Sequence, residues 1–206
     1  MGIEARKLRH KESLRQMILD AARDLFVNEG YKNASIRKIA EKIEYSPGTI
    51  YSYFSDKSEL LDALLEETFT GLDTELRAIP EAEPDSLVAL RRGLRTYIEF
   101  GLSNPNHYLL VFVLDENSFD SERQQFKGKY GFQCFDNLRR AVARAMADGH
   151  LVEVDLETTS QALWAAMHGM TSLLISQPGF PFVQQEALID RLLDILLDGA
   201  RRRGSS

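Results

Sequence analysis

Residues 35–61 read SIRKIAEKIEYSPGTIYSYFSDKSELL, and three helix starts are written into that one stretch. Ser35 precedes Ile36, Ile39, Ala40 and Ile43, an apolar stripe at helical spacing, and predicts the N-cap of a short helix. Ser46 and Pro47 open a second one. The serine caps free N–H groups, and the proline sits where its missing N–H does no harm. Asp56 with Glu59 three residues on predicts a capping box for a longer helix carrying Leu60, Leu61, Leu64, Leu65 and Phe69. Within SPGTIYSYF (46–54), Ile50 and Phe54 are four apart and give a narrow buried stripe. Thr49, Tyr51, Ser52 and Tyr53 are left on the other sides. Gly48 costs little in a first turn and lets another molecule approach the backbone. A helix with so small a buried face and so many outward hydroxyls is suited to touching something polar.

Helical spacing continues in both directions. Leu14, Ile18, Ala22, Leu25 and Phe26 form a stripe that Gly30 closes. The proline-bearing, acidic AIPEAEPDS (78–86) is the expected domain boundary. Beyond it, helices are predicted near 86–103, 105–115, 120–148, 156–177 and 184–202. Their breaks fall at SNPN (103–106), near Asn117–Asp120, at Asp148–Gly149 and at QPGFP (177–181). No alternating-polarity run is long enough to argue a sheet. The expected fold is all-α with about nine helices.

Composition excludes several classes. The N-terminal MGIEARKLRHKESLRQ lacks the apolar core of a signal peptide, and Arg6 stands where a myristoylation signal wants Ser or Thr. ALWAAMHGMTSLLI is too short to span a bilayer and is ended by Pro178 and Pro181, so no membrane association is expected. The single Cys134 rules out an internal disulfide framework and fits a reducing cytoplasm. The formal charge of −6 is unevenly spread. Residues 1–60 carry 11 Lys and Arg against 9 Asp and Glu, whereas the remainder carries 14 against 22. The first fifteen residues alone have five basic and two acidic side chains. That asymmetry suits a protein that touches a polyanion with one end, as it suits an ordinary solvated tail.

Two short helices over 35–43 and 46–54, joined by two or three residues, predict a helix-turn-helix. In that motif the second helix enters the DNA major groove and the first crosses the backbone. Thr49 and Ser52 can then donate to phosphates or bases, and Tyr51 can reach a phosphate with its hydroxyl. Arg37, Lys38, Lys42 and Lys57 flank the pair; Lys38 and Lys42 are equally readable as solvated. Tyr45 is expected in the core. Tyr53 reads equally as a contact or as packing against the first helix.

With ILDAARDLFVNEGYKNA (18–34) in front of it, the stretch 35–61 resembles the tetracycline-repressor (TetR) family of bacterial regulators. The combination of LFxxxGY, IRKIAEKI, GTIYSYF and DKSELL carries the likeness. The resemblance implies a DNA-binding domain over 11–72 and a helical ligand-binding and dimerisation domain over 78–206. By position, Thr49, Tyr51, Tyr53 and Lys57 match DNA-contacting residues, and Arg37 matches a base-contacting arginine. Ser35, Ser46, Pro47, Gly48 and Ser52 complete the expected DNA-binding set. Glu44 departs from the pattern, because the family usually has glycine in that turn.

The body is rich in aromatics, most of them expected to be core. The resemblance implies a pocket among the middle helices, with Tyr97, Phe100, Tyr108, Phe112, Cys134, Trp164 and His168 as candidate ligand contacts. SNPNHYLLVFV (103–113) looks like the opening of the family's sixth helix. LWAAMHGM (163–170) resembles a Trp-xxx-His-Gly subgroup of its C-terminal domains. His168 reads as a ligand or pH reporter or, more plainly, as a hydrogen-bonded core histidine. A lone histidine is no metal site, and no metal or cofactor is expected. Leu163, Met167, Met170, Leu174, Leu188, Leu192, Ile195 and Leu196 exceed what peripheral helices need. In the family the equivalent helix pair docks with its copy as a four-helix bundle. Together these readings imply a homodimeric repressor on a palindromic double-stranded DNA operator, released by a small-molecule effector. A helical enzyme acting on a small apolar metabolite is the alternative. Against it stands the lack of a phosphate loop, a Ser-His-Asp arrangement or a carboxylate pair beside a histidine. A sequence-independent, chromosome-organising dimer fits the acidic body poorly.

Overall fold

The computed structural model describes residues 3–113 and 121–201. The expected break near Asn117–Asp120 lies outside the described residues. Along the chain run α1 (Ile3–Glu29), α2 (Ile36–Lys42), α3 (Pro47–Tyr51), α4 (Lys57–Arg77), α5 (Ile79–Ala82), α6 (Ser86–Ser103) and α7 (Pro105–Tyr108). A π-helical stretch (Leu109–Val113) continues α7. Then come α8 (Ser121–Ala147), α9 (Leu156–Ser176) and α10 (Gln185–Ala200). The all-α expectation holds. Extended pairing among the described residues is limited to one isolated bridge between Leu151 and Arg201. The predicted boundary segment is not all linker: α5 forms in it, and Ile79 is buried.

Two compact units emerge. One comprises Met1–Thr68 with Asn106–Gly128, the other Phe69–Pro105 with Lys129–Ser206. In the first, the buried side chains include Ile18, Leu19, Ala22 and Phe26 of α1, Ile39 and Ala40 of α2, Ile50 of α3, and Leu60, Leu61, Leu64 and Leu65 of α4. Burial of such side chains is worth about 1.5–3 kcal/mol each. Tyr108, Leu110 and Val111 are buried in this unit too. Arg23, itself buried, bridges Asp20 at 2.8 Å and Glu67 at 2.9 Å, tying α1 to α4.

In the second unit α6 packs on α9 and α10. Leu90, Leu94, Tyr97 and Ile98 of α6 are buried in this core, as are Leu163 and Met167 of α9 and Ile189, Leu193 and Leu197 of α10. Asp85 caps α6 by accepting from the Leu87 and Val88 N–H groups, at 2.9 and 3.0 Å. Asp155 caps α9, accepting from Thr158 N–H at 2.7 Å. Outside the apolar layer, Arg91 reaches Asp194 at 2.7 Å and Asp190 at 3.0 Å, and Arg95 reaches Glu186 at 2.9 Å and also Asp190. Leu163 and Met167 therefore serve the protomer's own core, which corrects their assignment to a docking stripe. Helical spacing reveals that a residue is buried but not what covers it.

Candidate nucleic-acid interface

The three predicted caps form. Ser35 Oγ accepts from Lys38 N–H at 3.3 Å, and Ser46 Oγ accepts from Thr49 N–H at 3.2 Å. Asp56 Oδ1 accepts from the N–H groups of Ser58 and Glu59 at 2.7 and 2.9 Å. Glu59 Oε2 reaches back to Ser55 N–H at 2.6 Å, one residue before the position the capping-box reading gives. The turn between α2 and α3 passes through Glu44 at φ 60°, the left-handed region. Glycine enters that region freely, whereas an L side chain pays about 1–2 kcal/mol. The departure at Glu44 thus leaves the turn geometry intact at an energetic cost.

Helix α3 is barely more than one turn long, and such a helix does not hold itself together in water. Ile50 and, just after it, Phe54 anchor it by burial. Ser46, Pro47, Gly48, Tyr51 and Ser52 are all exposed, Tyr51 at 56%. Thr49 and Tyr53 are half-buried. The Thr49 hydroxyl lies 3.0 Å from Ser46 Oγ, and Ser52 Oγ donates to Thr49 O at 2.6 Å. These local bonds fix the Ser46 and Thr49 side chains at the start of the helix and the Ser52 side chain at its end. Tyr45 is 39% exposed rather than core, a correction: Ile39, Ala40 and Ile50 already fill the space around that turn.

The flanking cations are more committed than their sequence suggests. Arg37 pairs with Glu41 at 3.0 Å, Lys42 with Asp24 at 3.1 Å, and Lys38 with Glu29. Lys57 donates to the carbonyls of Tyr31 and Ala34 at 2.7 and 3.0 Å, and its ammonium stands 4.2 Å above the Tyr31 ring. Burial lowers its pKa. It therefore closes the α1–α2 turn from inside, a role separated from its partners by over twenty residues and unreadable from local sequence.

The candidate ligand residues are distributed over both units. Tyr97, Trp164 and His168 come together: the Tyr97 hydroxyl is 3.2 Å from His168 Nδ1, and the Trp164 ring lies 5.8 Å from the imidazole and 5.9 Å from Phe135. Phe100 lies over Gly71, where an added Cβ would stand 3.4 Å from the ring. Cys134 is buried and directs its thiol at the Phe69 carbonyl, 3.4 Å away. Burial, with the Asp73 carboxylate nearby, pushes that thiol up to about 12, so it is no thiolate nucleophile at neutral pH. Tyr108 and Phe112 belong to the first unit and pack on each other at 4.9 Å. Phe69, stacked on Tyr130 at 6.4 Å, and Phe135 are aromatic partners that local sequence does not place in the site. A dent of about 130 Å³ between α6 and α10, lined by Leu87, Arg91, Asp194 and Arg201 among others, holds none of the candidates. It is smaller than the usual small-molecule pocket. Among the described residues, no group of His, Cys, Asp and Glu could hold a metal ion. No helix among the described residues is long and apolar enough to cross a membrane.

A capped helix-turn-helix with an exposed polar second helix, followed by a helical body, defines a class: bacterial DNA-binding regulators. Residues 18–64 match the family model described as bacterial regulatory proteins of the TetR family. Residues 90–198 match the model described as the tetracyclin repressor-like C-terminal domain. The chain belongs to the TetR family and is a helix-turn-helix transcriptional regulator. It is 29% identical to the transcriptional activator FasR of Mycolicibacterium smegmatis, over 55% of this chain and 51% of FasR, so the match spans about half of that relative. It is 24% identical to the nucleoid occlusion factor SlmA of Cronobacter sakazakii, over 79% of this chain and 80% of SlmA. Its fold is that of the TetR-family regulator PfmR from Thermus thermophilus, with a TM-score of 0.77 at 23% identity, over 90% of this chain and 99% of the other.

Proposed function

We propose that this regulator is a homodimeric repressor of the cytoplasm that binds a palindromic operator and leaves it when a small molecule occupies the C-terminal domain. The exposed, hydroxyl-bearing face of α3 carries the DNA half of this reading. Gly48 admits the backbone of DNA, and Thr49, Tyr51, Ser52 and Tyr53 meet phosphates and base edges, with Ser35, Arg37 and Lys57 beside them. We assign residues 11–72 to DNA binding and 78–206 to effector binding and dimerisation, a division supported by the two family matches.

Apolar surface supports the dimer. Trp164, Leu173 and Ile195 are 39, 53 and 54% exposed on α9 and α10, and Phe180 and Val183 are exposed in the loop between them. Covering this surface with a second copy gives a two-fold assembly. Its two α3 helices would read half-sites one helical turn, about 34–36 Å, apart. Tyr97, Trp164 and His168 form the polar and aromatic nucleus of the effector site, in a C-terminal domain of the Trp-xxx-His-Gly subgroup. The effector acts by binding one dimer shape more tightly than the other. The protein is not an enzyme in this reading; its buried, neutral Cys134 speaks against the one nucleophile an enzymatic alternative had to offer.

Selection from random duplexes at moderate salt tests the proposal. An inverted repeat is the expected product, and Tyr51→Phe and Thr49→Ala lower affinity for it without changing the melting temperature. Two variants that bind as tightly as the parent would overturn the docking of α3. Enrichment of no sequence by the folded protein, either alone or with cell extract present to supply a missing effector, would overturn the sequence-specific reading.

A further inference from the structure

Helix α1 begins well before its packed part. Residues 4–13 are exposed, and Leu14 is the first buried side chain. At 100° per residue, Lys7, Lys11 and Arg15 fall within a sector of about 80°, and Ile18 and Ala22, which pack into the first unit, lie in that same sector. The face of α1 that is apolar against the helix-turn-helix is thus continued by a basic stripe where the helix runs free. Arg15 ties the stripe to the recognition element, because its guanidinium lies 5.4 Å from the centre of the Phe54 ring, directly after α3. Lys7 is eight residues farther along, about 12 Å at the helical rise. Glu4 shares the side and Glu12 flanks it, so the stripe is basic on balance rather than purely so.

Charge elsewhere in the motif makes this stripe matter. Arg37, Lys38 and Lys42 are paired with carboxylates, and Lys57 is held by carbonyls. None of the ion pairs among the described residues involves Lys7 or Lys11. DNA binding draws much of its free energy from counterions released as cations meet phosphates. Each of those cations must exchange a carboxylate or carbonyl for phosphate, a small cost at the exposed Arg37–Glu41 pair, whereas Lys7 and Lys11 have no such partner among the described residues to give up.

We infer that the Lys7–Lys11–Arg15 face of α1 is a second DNA contact, seated on phosphates that flank the base pairs read by α3. The inference rests on the regulator reading above and adds to it a footprint wider than the recognition helix alone. Its occupant is duplex DNA, since the stripe is basic, continuous with the recognition element and regularly spaced.

The test compares the full-length protein with Lys7→Gln/Lys11→Gln and Lys7→Arg/Lys11→Arg on two duplexes. Both carry the selected operator, one trimmed to three base pairs on either side and one extended to twelve. The parent is expected to bind the long duplex with the steeper salt dependence. In the glutamine variant the logarithmic slope on that duplex falls by about 0.9 for each phosphate no longer neutralised, close to two per protomer. The arginine variant keeps the parental slope, and operator sequence preference is unchanged in both. Equal slopes on both duplexes, with sequence preference intact, overturn the flanking contact and leave the regulator standing. Loss of all sequence preference in the parent overturns both. A glutamine variant that loses binding to phosphatidylglycerol vesicles but not to DNA assigns the stripe to a lipid surface and also overturns the inference.

Discussion

His107 donates its Nδ1–H to the hydroxyl of Thr68 across 2.8 Å. The direction is fixed because the Thr68 proton is already given to Leu64 O, also at 2.8 Å. The neutral ring therefore carries its proton on Nδ1. Burial holds its pKa below the ordinary histidine value of 6.5, Arg23 adds to the depression, and Glu67 and Asp20 oppose it. As pH falls through 6.5 the unfolded chain takes up a proton that the folded chain resists, so stability must fall with it. Urea unfolding at pH 7.5 and 5.5 should show a larger acid loss for the parent than for His107→Asn, whose amide can still donate to Thr68. Thr68→Val removes the acceptor and should cost about 1–3 kcal/mol at pH 7.5.

Glu44 offers a stabilising substitution. Its φ of 60° is a conformation that glycine adopts without strain. Glu44→Gly relieves about 1–2 kcal/mol of backbone strain and returns part of it through the freer unfolded chain. A net gain of roughly 0.5–1 kcal/mol is expected, seen as a higher midpoint in urea. Glu44→Val should lower the midpoint instead, because a branched side chain is worse in that region.

Lys57 separates a scaffold role from a DNA role. Lys57→Met leaves the Tyr31 and Ala34 carbonyls without their donor and should destabilise the fold by about 1–3 kcal/mol. If the ammonium instead left those carbonyls to bind phosphate, stability would be unchanged and the salt dependence of operator binding would weaken. Thermal unfolding and a salt titration on the same variant distinguish the two.

Trp164 is the chain's single tryptophan and is partly exposed. If α9 and α10 form the dimer face, its emission should move to longer wavelength on dilution through the dissociation range. Leu173→Glu should run as a monomer in size-exclusion chromatography and lose operator binding while keeping its helical circular dichroism. A Leu173→Glu protein that stays dimeric would place the interface elsewhere.

The parts of this fold that were legible in the sequence are the ones decided locally. Ser35, Ser46 and Asp56 cap helices because their side chains reach N–H groups two or three residues away, and Gly30 ends α1 at φ 81° because no Cβ opposes it. Contacts between distant segments were not legible. Nothing near Lys57 announces the Tyr31 and Ala34 carbonyls, and nothing near His107 announces Thr68, 39 residues earlier. The apolar stripes of α9 and α10 signalled burial, yet Leu163 and Met167 turned inward while Leu173 and Ile195 stayed outside. Tyr45 failed for the opposite reason: an aromatic beside a short helix has nowhere to be buried once smaller side chains have closed the core.

Helix α3 owes its existence to Ile50 and Phe54 on one side and to the Ser46 cap at its start. The other side contributes almost nothing to holding the fold together. Residues 48, 49, 51 and 52 can therefore be exchanged with little effect on folding, so under the proposed docking of α3 the alphabet by which an operator is chosen is nearly free of structural duty. Descendants of this chain could acquire new DNA targets by changes at those four positions while inheriting the rest of the molecule unaltered.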